Sequence, residues 1–469
     1  AFYRYDLIDN RADDTELALR VNVGRRWESG SAKWIFKSGV KSRMREADQD
    51  QDKDRYLPGS PVFSLTEVSK TGPATIFKDI YALGPSWDVS LMDAFFRDNP
   101  GSFAPDEANS ILDSLASDFS VSEGIHSTYA MAQRENDKWV VVAGMRLEHT
   151  EMESQGYETI SEKDENGNPV VEIRPVSVSQ DYNKLFPGLH VLHRLNRNWV
   201  VRASLTRTLQ RPDFRDLSPS SRVNLDTKRI RSGNPELRPF DAKALDLGTD
   251  FLLNNWGAVS LGFFAKRIDD FIVDIEEQTD YLGEPGFTRS YPVNGSPAEL
   301  VGIEAAWNTT LTFLPGLLDT TNLSLNYTWT DSTAAYPGHP GTIIMLPEQV
   351  RDVFNASLRW QYANWTLSLR TRYHGLRLND LIIPGQDQFN EGFWSHSVSV
   401  AYKINNTMSF SMGFANLNHP DRITYQGHPG QLVANREGSR SFSIGLNIRF
   451  GQGKIPPSAT DSSKSREEG

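Results

Sequence analysis

Asp48, Asp50, Asp52 and Asp54 form the densest set of potential metal ligands in the chain. Oxygen donors at alternate positions open a calcium loop, which also needs glycine at its sixth position and a bidentate acid at its twelfth. Lys53 and Gly59 stand at those positions, so an EF-hand is excluded and a solvated acidic loop is the reading. The nine histidines include no i,i+4 pair on a helix. His190 and His193 fall on a strand and point to opposite faces, which rules them out as joint ligands. Cysteine is absent, which removes thiol catalysis and Cys-based zinc sites, and no Gly-x-Ser-x-Gly elbow occurs. The expectation is a protein that is not an enzyme and carries no cofactor and no metal.

A second charged set is patterned differently. Arg20, Arg146, Glu148, Arg202, Arg359, Arg370, Arg372 and Arg449 each alternate with apolar residues, as side chains on opposite faces of a strand do. The closing segment shows this best. Phe442, Ile444, Leu446, Ile448 and Phe450 share one face, and Ser441, Ser443, Gly445, Asn447 and Arg449 the other. An apolar face backed by Ser, Thr, Asn and Arg suits a wall between lipid and a wet lumen, and the eight charged residues are assigned to that lumen. There they would pair with one another, hold a plug or attract solutes.

The elements that must position these groups follow from the same alternation. About fifteen strands are expected, near 15–26, 32–42, 121–134, 138–150, 182–195, 198–210, 241–254, 256–277, 297–310, 321–332, 350–362, 365–377, 393–404, 407–416 and 438–450. Short connections such as Glu28-Ser29-Gly30, Asn196-Arg197, Asn254-Asn255 and Ala363-Asn364 alternate with long ones, including 43–120 and 151–181. Loops sorted by length to opposite rims are the topology of an outer-membrane barrel. Trp139, Trp199, Trp365, Tyr373, Trp360, Tyr362, Tyr327 and Trp329 are expected as an aromatic girdle beside the short turns. Pro105 to Phe119 reads as a helix with Ala108, Ile111, Leu112, Leu115 and Phe119 in one stripe. Residues 451–469 lack periodicity and read as a disordered polar tail.

Composition agrees. No run approaches the roughly 18 to 20 apolar residues of a membrane helix, and a mean hydropathy of -0.48 is what a barrel gives when only alternate residues meet lipid. The net charge of -11 disfavours a nucleic-acid partner.

The segment 205–239 resembles the TonB-dependent outer-membrane receptors. Arg211-Pro212-Asp213-Phe214 follows one strand, and Gly233-Asn234-Pro235-Glu236-Leu237-Arg238-Pro239 precedes the next. The family's acid after the second proline is displaced by Phe240, with Asp241 following. Lys184 to Leu189, Asp269 to Ile272, Gly302-Ile303-Glu304, Asn326-Tyr327-Thr328 and Ile448-Arg449-Phe450 support the match across about 120–450. Arg211, Pro212, Gly233, Asn234, Pro235, Leu237 and Pro239 are read as shaping the barrel and not as touching solute.

The resemblance implies an all-β fold: an antiparallel transmembrane β-barrel of about 15 strands, a partial barrel lacking its plug where the family has about 22 strands. Residues 1–450 would be that barrel, with 43–120 as a long extracellular loop. It implies a Gram-negative outer-membrane transporter with a periplasmic C-terminus, surrounded by outer-membrane lipid. Such a receptor imports a siderophore, cobalamin, haem or oligosaccharide with energy from the TonB complex, acting through a plug. It further implies that Phe450 is the signal read by the barrel-assembly machinery, and that loop side chains, here Trp87, Phe95, Phe96 and Tyr336, contact the solute. A passive porin and a soluble β-rich lectin are the rival readings.

Overall fold

The computed structural model describes residues 3–61, 63–76, 81–167, 169–253, 256–337, 343–382 and 385–449. Fifteen wall strands lie among them. They are β1 (Tyr5–Ser29), β2 (Ala32–Pro58), β3 (Phe119–Glu135), β4 (Trp139–Lys163), β5 (Pro169–Arg194), β6 (Trp199–Gln210), β7 (Phe240–Leu252) and β8 (Gly257–Asp269). The rest are β9 (Ala298–Thr310), β10 (Asn322–Ala335), β11 (Asp352–Tyr362), β12 (Trp365–His374), β13 (Phe393–Lys403), β14 (Met408–Ala415) and β15 (Ser441–Ile448). Each pairs antiparallel with the next in chain order. Among the described residues β1 and β15 do not pair with each other, so the sheet is an open meander.

Register carries one apolar face from strand to strand. Val21 lies beside Val40, Val40 beside Thr128, Thr128 beside Leu147 and Leu147 beside Leu185. At the far end Phe410 opposes Leu446 and Met412 opposes Ile444. Phe410 and Met412 are half-buried and the others are exposed, Leu446 at 56% and Leu147 at 45%, as lipid-facing residues are in the absence of lipid.

The aromatics form two belts. Trp27 stacks on Trp34 at 6.1 Å, Trp139 on His193 at 3.8 Å and Trp365 against Tyr402 at 4.6 Å, all beside the short turns. Tyr327, Trp329 and Tyr373, expected in the same belt, sit instead at the opposite rim with Phe354 and Trp394. Tyr373 and Trp394 are 4.8 Å apart there. Trp365 to Tyr373 spans about 26 Å along β12 at ~3.3 Å per residue, which is the order of an apolar bilayer band.

Several expected loops are strand. β2 runs to Pro58, and β4 and β5 continue to Lys163 and from Pro169, so 43–58 and much of 151–181 extend hairpins beyond the apolar band. Asp48, Asp50, Asp52 and Asp54 all occupy one exposed face of β2, and not a loop. The strand expected over 256–277 breaks at Asp270, whose φ is 63°, and Ile272–Tyr281 turns away to pair with Glu284–Asn294. The turn at Asn254-Asn255 and the tail 451–469 lie outside the described residues.

The expected helix exists as α2 (Glu107–Leu115), and α1 (Val89–Asp98) precedes it. Asp88 caps α1 at the Leu91 amide, and Asp106 caps α2 at the Asn109 amide. β3 stops pairing with β2 at Gln49, and α2 takes over from there. The amides of Gln51, Lys53 and Arg55 donate to Asp118 Oδ1, Ser114 Oγ and Ser110 Oγ at 2.8, 2.9 and 2.9 Å. An i,i+4 ladder of short acceptors thus satisfies a strand edge that no strand covers.

Candidate functional site

The face opposite the lipid is predominantly polar, most uniformly on β10 to β15. Asn322, Ser324 and Asn326 of β10 lie beside Arg359, Ser357 and Asn355 of β11, which lie beside Ser368, Arg370 and Arg372 of β12. Ser399 and Ala401 of β13 then meet Gly413 and Ser411 of β14, and Ser443, Gly445 and Asn447 continue on β15. Arg20 on β1, beside Lys41, shares this face, as do Arg146, Glu148 and Thr150 on β4, beside Phe186, Lys184 and Tyr182.

Electrostatically this wall has two halves. On β3 to β7 the buried carboxylates are each held by basic side chains. Glu123 is buried between Arg43 Nη2 at 2.8 Å and Arg211 Nε at 3.2 Å. Glu148 accepts from Arg211 Nη2 at 2.9 Å and from Arg146 Nε at 2.6 Å, and Arg211 Nη2 also donates to Thr150 Oγ1 at 3.1 Å. Asp241, 4% exposed, accepts from Arg207 Nε at 2.7 Å and Lys184 Nζ at 2.9 Å. Arg202 donates to Asp250 at 3.1 Å. A buried carboxylate is tolerated only with such partners, and Glu123, Glu148 and Asp241 each have two, while Lys37 and Lys41 on the lumen face of β2 make no ion pair among the described residues. Glu123, Arg43, Arg207 and Lys184 were not singled out from the sequence. The signal was present, since Glu123 shares its inward parity with buried Val121, Ile125 and Ser127.

On β11 to β15 the picture reverses. Among the described residues Arg359, Arg370 and Arg449 have no carboxylate partner, and Arg372 donates only to Asn355 Oδ1 at 3.0 Å. Arg20, on β1, is likewise without one.

The motif residues build a loop base. Arg211 leaves β6 directly into the network, and Phe214 lies under the Arg45 guanidinium at 4.6 Å. Gly233 is required: a Cβ there would stand 2.2 Å from the Ser218 carbonyl. The Asn234 side-chain amide donates to the Pro292 carbonyl at 2.9 Å, tying this loop to the next. Leu237 is buried with Val121, Met152 and Leu217 beside it, and Pro239 is fully buried. Asp241 keeps the acid of the family pattern at this corner, one residue later.

Of the loop aromatics, Phe95 and Phe96 pack on the cluster of Phe63, Val68, Met92 and Phe103. Tyr336 is 4% exposed, edge-on to Phe271 at 5.3 Å. Trp87 is 64% exposed. Phe450 lies outside the described residues. Among the described residues no cluster of three or more His, Asp or Glu is placed to hold a metal.

Comparison with known proteins places this geometry. The family description "TonB dependent receptor-like, beta-barrel" matches residues 1–417. No curated protein matches the chain. Among solved structures, the unliganded ferric citrate transporter FecA superposes with a TM-score of 0.60 at 14% identity over 96% of this chain and 56% of its own. The ferric-catecholate import receptor Fiu of E. coli K12 gives 0.60 at 16% over 94% and 55%. The siderophore receptor PiuA of Acinetobacter baumannii gives 0.57 at 13% over 94% and 56%. The chain thus spans a little over half the length of these receptors, and the likeness concerns the fold. With a family match across most of its strands and an apolar outer face around a charged lumen wall, the chain belongs to the TonB-dependent receptor β-barrel family.

Proposed function

We propose that this chain forms the barrel wall of an outer-membrane active-transport receptor that imports a scarce solute with energy delivered by the TonB complex. The observation that supports this is the charge of the lumen wall: its buried carboxylates are paired, whereas Arg359, Arg370 and Arg449 have no carboxylate partner among the described residues. Lumen arginines left without a carboxylate are available to hold a plug or to attract an anionic solute. FecA, Fiu and PiuA are named for ferric citrate, ferric catecholates and siderophores, which makes iron complexes the first class to test, ahead of cobalamin, haem and oligosaccharides. In this reading the long-loop rim is extracellular and the short-turn rim periplasmic. The barrel-assembly machinery reads the last strand at Phe450, and the remaining arginines face a plug or the solute.

The test is growth and radiolabelled uptake in cells carrying or lacking the gene that encodes this chain, on iron complexes, cobalamin, haem and glycans as limiting sources. Loss of energy-dependent uptake of one class is expected. Uptake that is unaltered for every class, or that survives collapse of the proton gradient, overturns the proposal in favour of a passive pore. The assembly assignment has its own check: Phe450→Ala should reduce the folded fraction, and deletion of 451–469 should not.

A further inference from the structure

The described turns at the short rim are built on polar residues, with one exception. Gly30-Ser31, Asn136-Asp137-Lys138, Ala363-Asn364 and Asn405-Asn406-Thr407 are what tight turns in water select. The connection from β9 to β10 is longer, and it reads Leu311-Thr312-Phe313-Leu314-Pro315-Gly316-Leu317-Leu318. No charged residue lies between Glu304 and Asp319. Phe313, Leu317 and Leu318 are 57%, 52% and 50% exposed. Single exposed apolar residues are ordinary, but a group of large ones presented by one turn marks a surface that something covers.

Parity and hydrogen bonds place this turn on the outward side of the wall. Leu323 and Leu325 lie on the lipid face of β10 and meet Leu358 and Ala356 of β11 across the ladder. Trp360, two residues beyond Leu358, therefore belongs to the same face. Its indole donates to the Leu317 carbonyl at 2.7 Å, and the Thr320 hydroxyl donates to the Gln361 carbonyl. At its other end Phe313 packs on Trp256 at 5.6 Å. The Trp256 carbonyl in turn accepts from the Thr310 amide at 2.9 Å and from the Thr309 hydroxyl. The connection is thus strapped along the rim from Trp256 to the end of β11. Its backbone closes on itself as well: the amides of Leu311, Leu314 and Thr321 donate to the carbonyls of Thr321, Leu311 and Leu318 at 2.7, 3.0 and 3.1 Å, and Pro315 has no amide to satisfy. Irregular backbone needs such closure where water is scarce. Leu311 and Leu314 are half-buried, so the turn keeps two apolar side chains for packing and leaves three uncovered.

We propose that the β9–β10 turn is an interfacial membrane anchor, with Phe313, Leu317 and Leu318 inserted among phospholipid acyl chains beside Trp256 and Trp360, in the leaflet at the short-turn rim. Phospholipid is the occupant because the patch is continuous with a face already given to lipid: Trp307, 39% exposed, and Leu325 opposite it lie on that face of the two strands the turn joins. The chemistry agrees. A protein-docking surface carries a polar rim around its apolar core, and this turn offers no charge before Asp319. Aromatic and leucine side chains on a short uncharged segment settle at the boundary of headgroups and acyl chains. Such an anchor holds the ends of β9, β10 and β11 at one depth in the bilayer. It requires only the lipid-facing wall and is independent of solute import.

The chain has no cysteine, so a single introduced one can carry a reporter. The full chain bearing L318C, or N406C in the polar turn between β13 and β14, is labelled with an environment-sensitive nitrobenzoxadiazole dye and refolded into phosphatidylethanolamine and phosphatidylglycerol vesicles. Emission from L318C should be blue-shifted and quenched by lipids brominated on their acyl chains. Emission from N406C should be quenched instead by iodide present on both sides of the membrane. Adding F313S/L317S should abolish most of the bromolipid quenching at L318C and leave N406C unchanged. Near-ultraviolet circular dichroism checks that each variant keeps native packing, and L317C with the same two quenchers decides the matter if L318C does not refold. The anchor is overturned if the label at L318C is as open to iodide as that at N406C, because the turn then stands in water. It is equally overturned if neither quencher reaches that label, because a second copy or another part of the chain then covers the patch.

Discussion

At the scale of residues, the lumen side of the wall is governed by pairing and the lipid side by transfer energy. Arg211 shows the first. Its guanidinium serves Glu123 and Glu148 together, and both acids have little access to water. Arg211→Met removes one partner from each acid and leaves them Arg43 and Arg146. Breaking a buried ion pair costs roughly 3–5 kcal/mol, and with those partners remaining about 3 kcal/mol is expected. Adding Glu148→Gln should recover part of that loss, because one of the stranded charges goes with it. Urea unfolding in bilayers measures both, and a double variant less stable than the single would contradict the network. Leu446 and Asn447 show the second. Leu446→Arg places a charge on the lipid face, where it costs roughly 2–4 kcal/mol near the midplane, whereas Asn447→Ser stays on the wet face and should be silent. Equal, negligible effects on folding would contradict the assignment of faces.

Elements were legible wherever one face meets lipid. All fifteen wall strands follow from alternation, because a period of two with Leu, Val and Phe on one side has no other explanation. Past the apolar band both faces are wet, the signal vanishes, and Arg43 to Pro58 reads as loop although it is ladder. Of the charged cluster, the inward parity of Arg146 and Glu148 was readable, but Arg211 reaching Glu123 was not, since 88 residues separate them along the chain and only the register joins them. Helix α1 was missed although Asp88 and the spacing of Leu91, Met92, Phe95 and Phe96 announce it. Helix α2 was placed correctly, but its function as the cover of a strand edge depends on Ser110, Ser114 and Asp118, which look like surface residues in sequence. Asp113 holds that cover by pairing with Lys53 at 2.7 Å and with Arg55 and Arg222. Burial pushes its carboxyl up, but the Lys53 hydrogen bond and the charges of Arg222 and Arg55 outweigh it and set the folded value below the usual 3.8. A depressed acid contributes stability above its unfolded value and loses it as pH falls through the folded one. Amide exchange at Gln51, Lys53 and Arg55 should therefore accelerate only below about pH 4. In Asp113→Asn it should be fast at neutral pH as well. Protection in that variant equal to wild type would show that the serine ladder holds α2 without the ion pairs.

At the scale of the whole molecule, topology sets the requirement. Fifteen antiparallel strands are odd in number, so β1 and β15 run parallel and could join only by a parallel ladder unlike that between any other neighbours; among the described residues they do not pair. Each has one paired side among the described residues, and in lipid an unsatisfied backbone group costs several kcal/mol. The chain by itself in a bilayer must therefore find another edge, and an identical β1 offers one in antiparallel register about a twofold axis. The absence of cysteine makes this directly measurable. Single cysteines along β1, at Leu17, Leu19, Val21 and Val23, should include at least one that forms a disulfide between copies in liposomes, whereas Leu325→Cys on interior strand β10 should not. The same liposomes should show no selective solute uptake. A heat-resistant monomer that forms no cross-link at any β1 position and takes up solute would mean that the sheet closes on itself, and the open meander would then have to be abandoned.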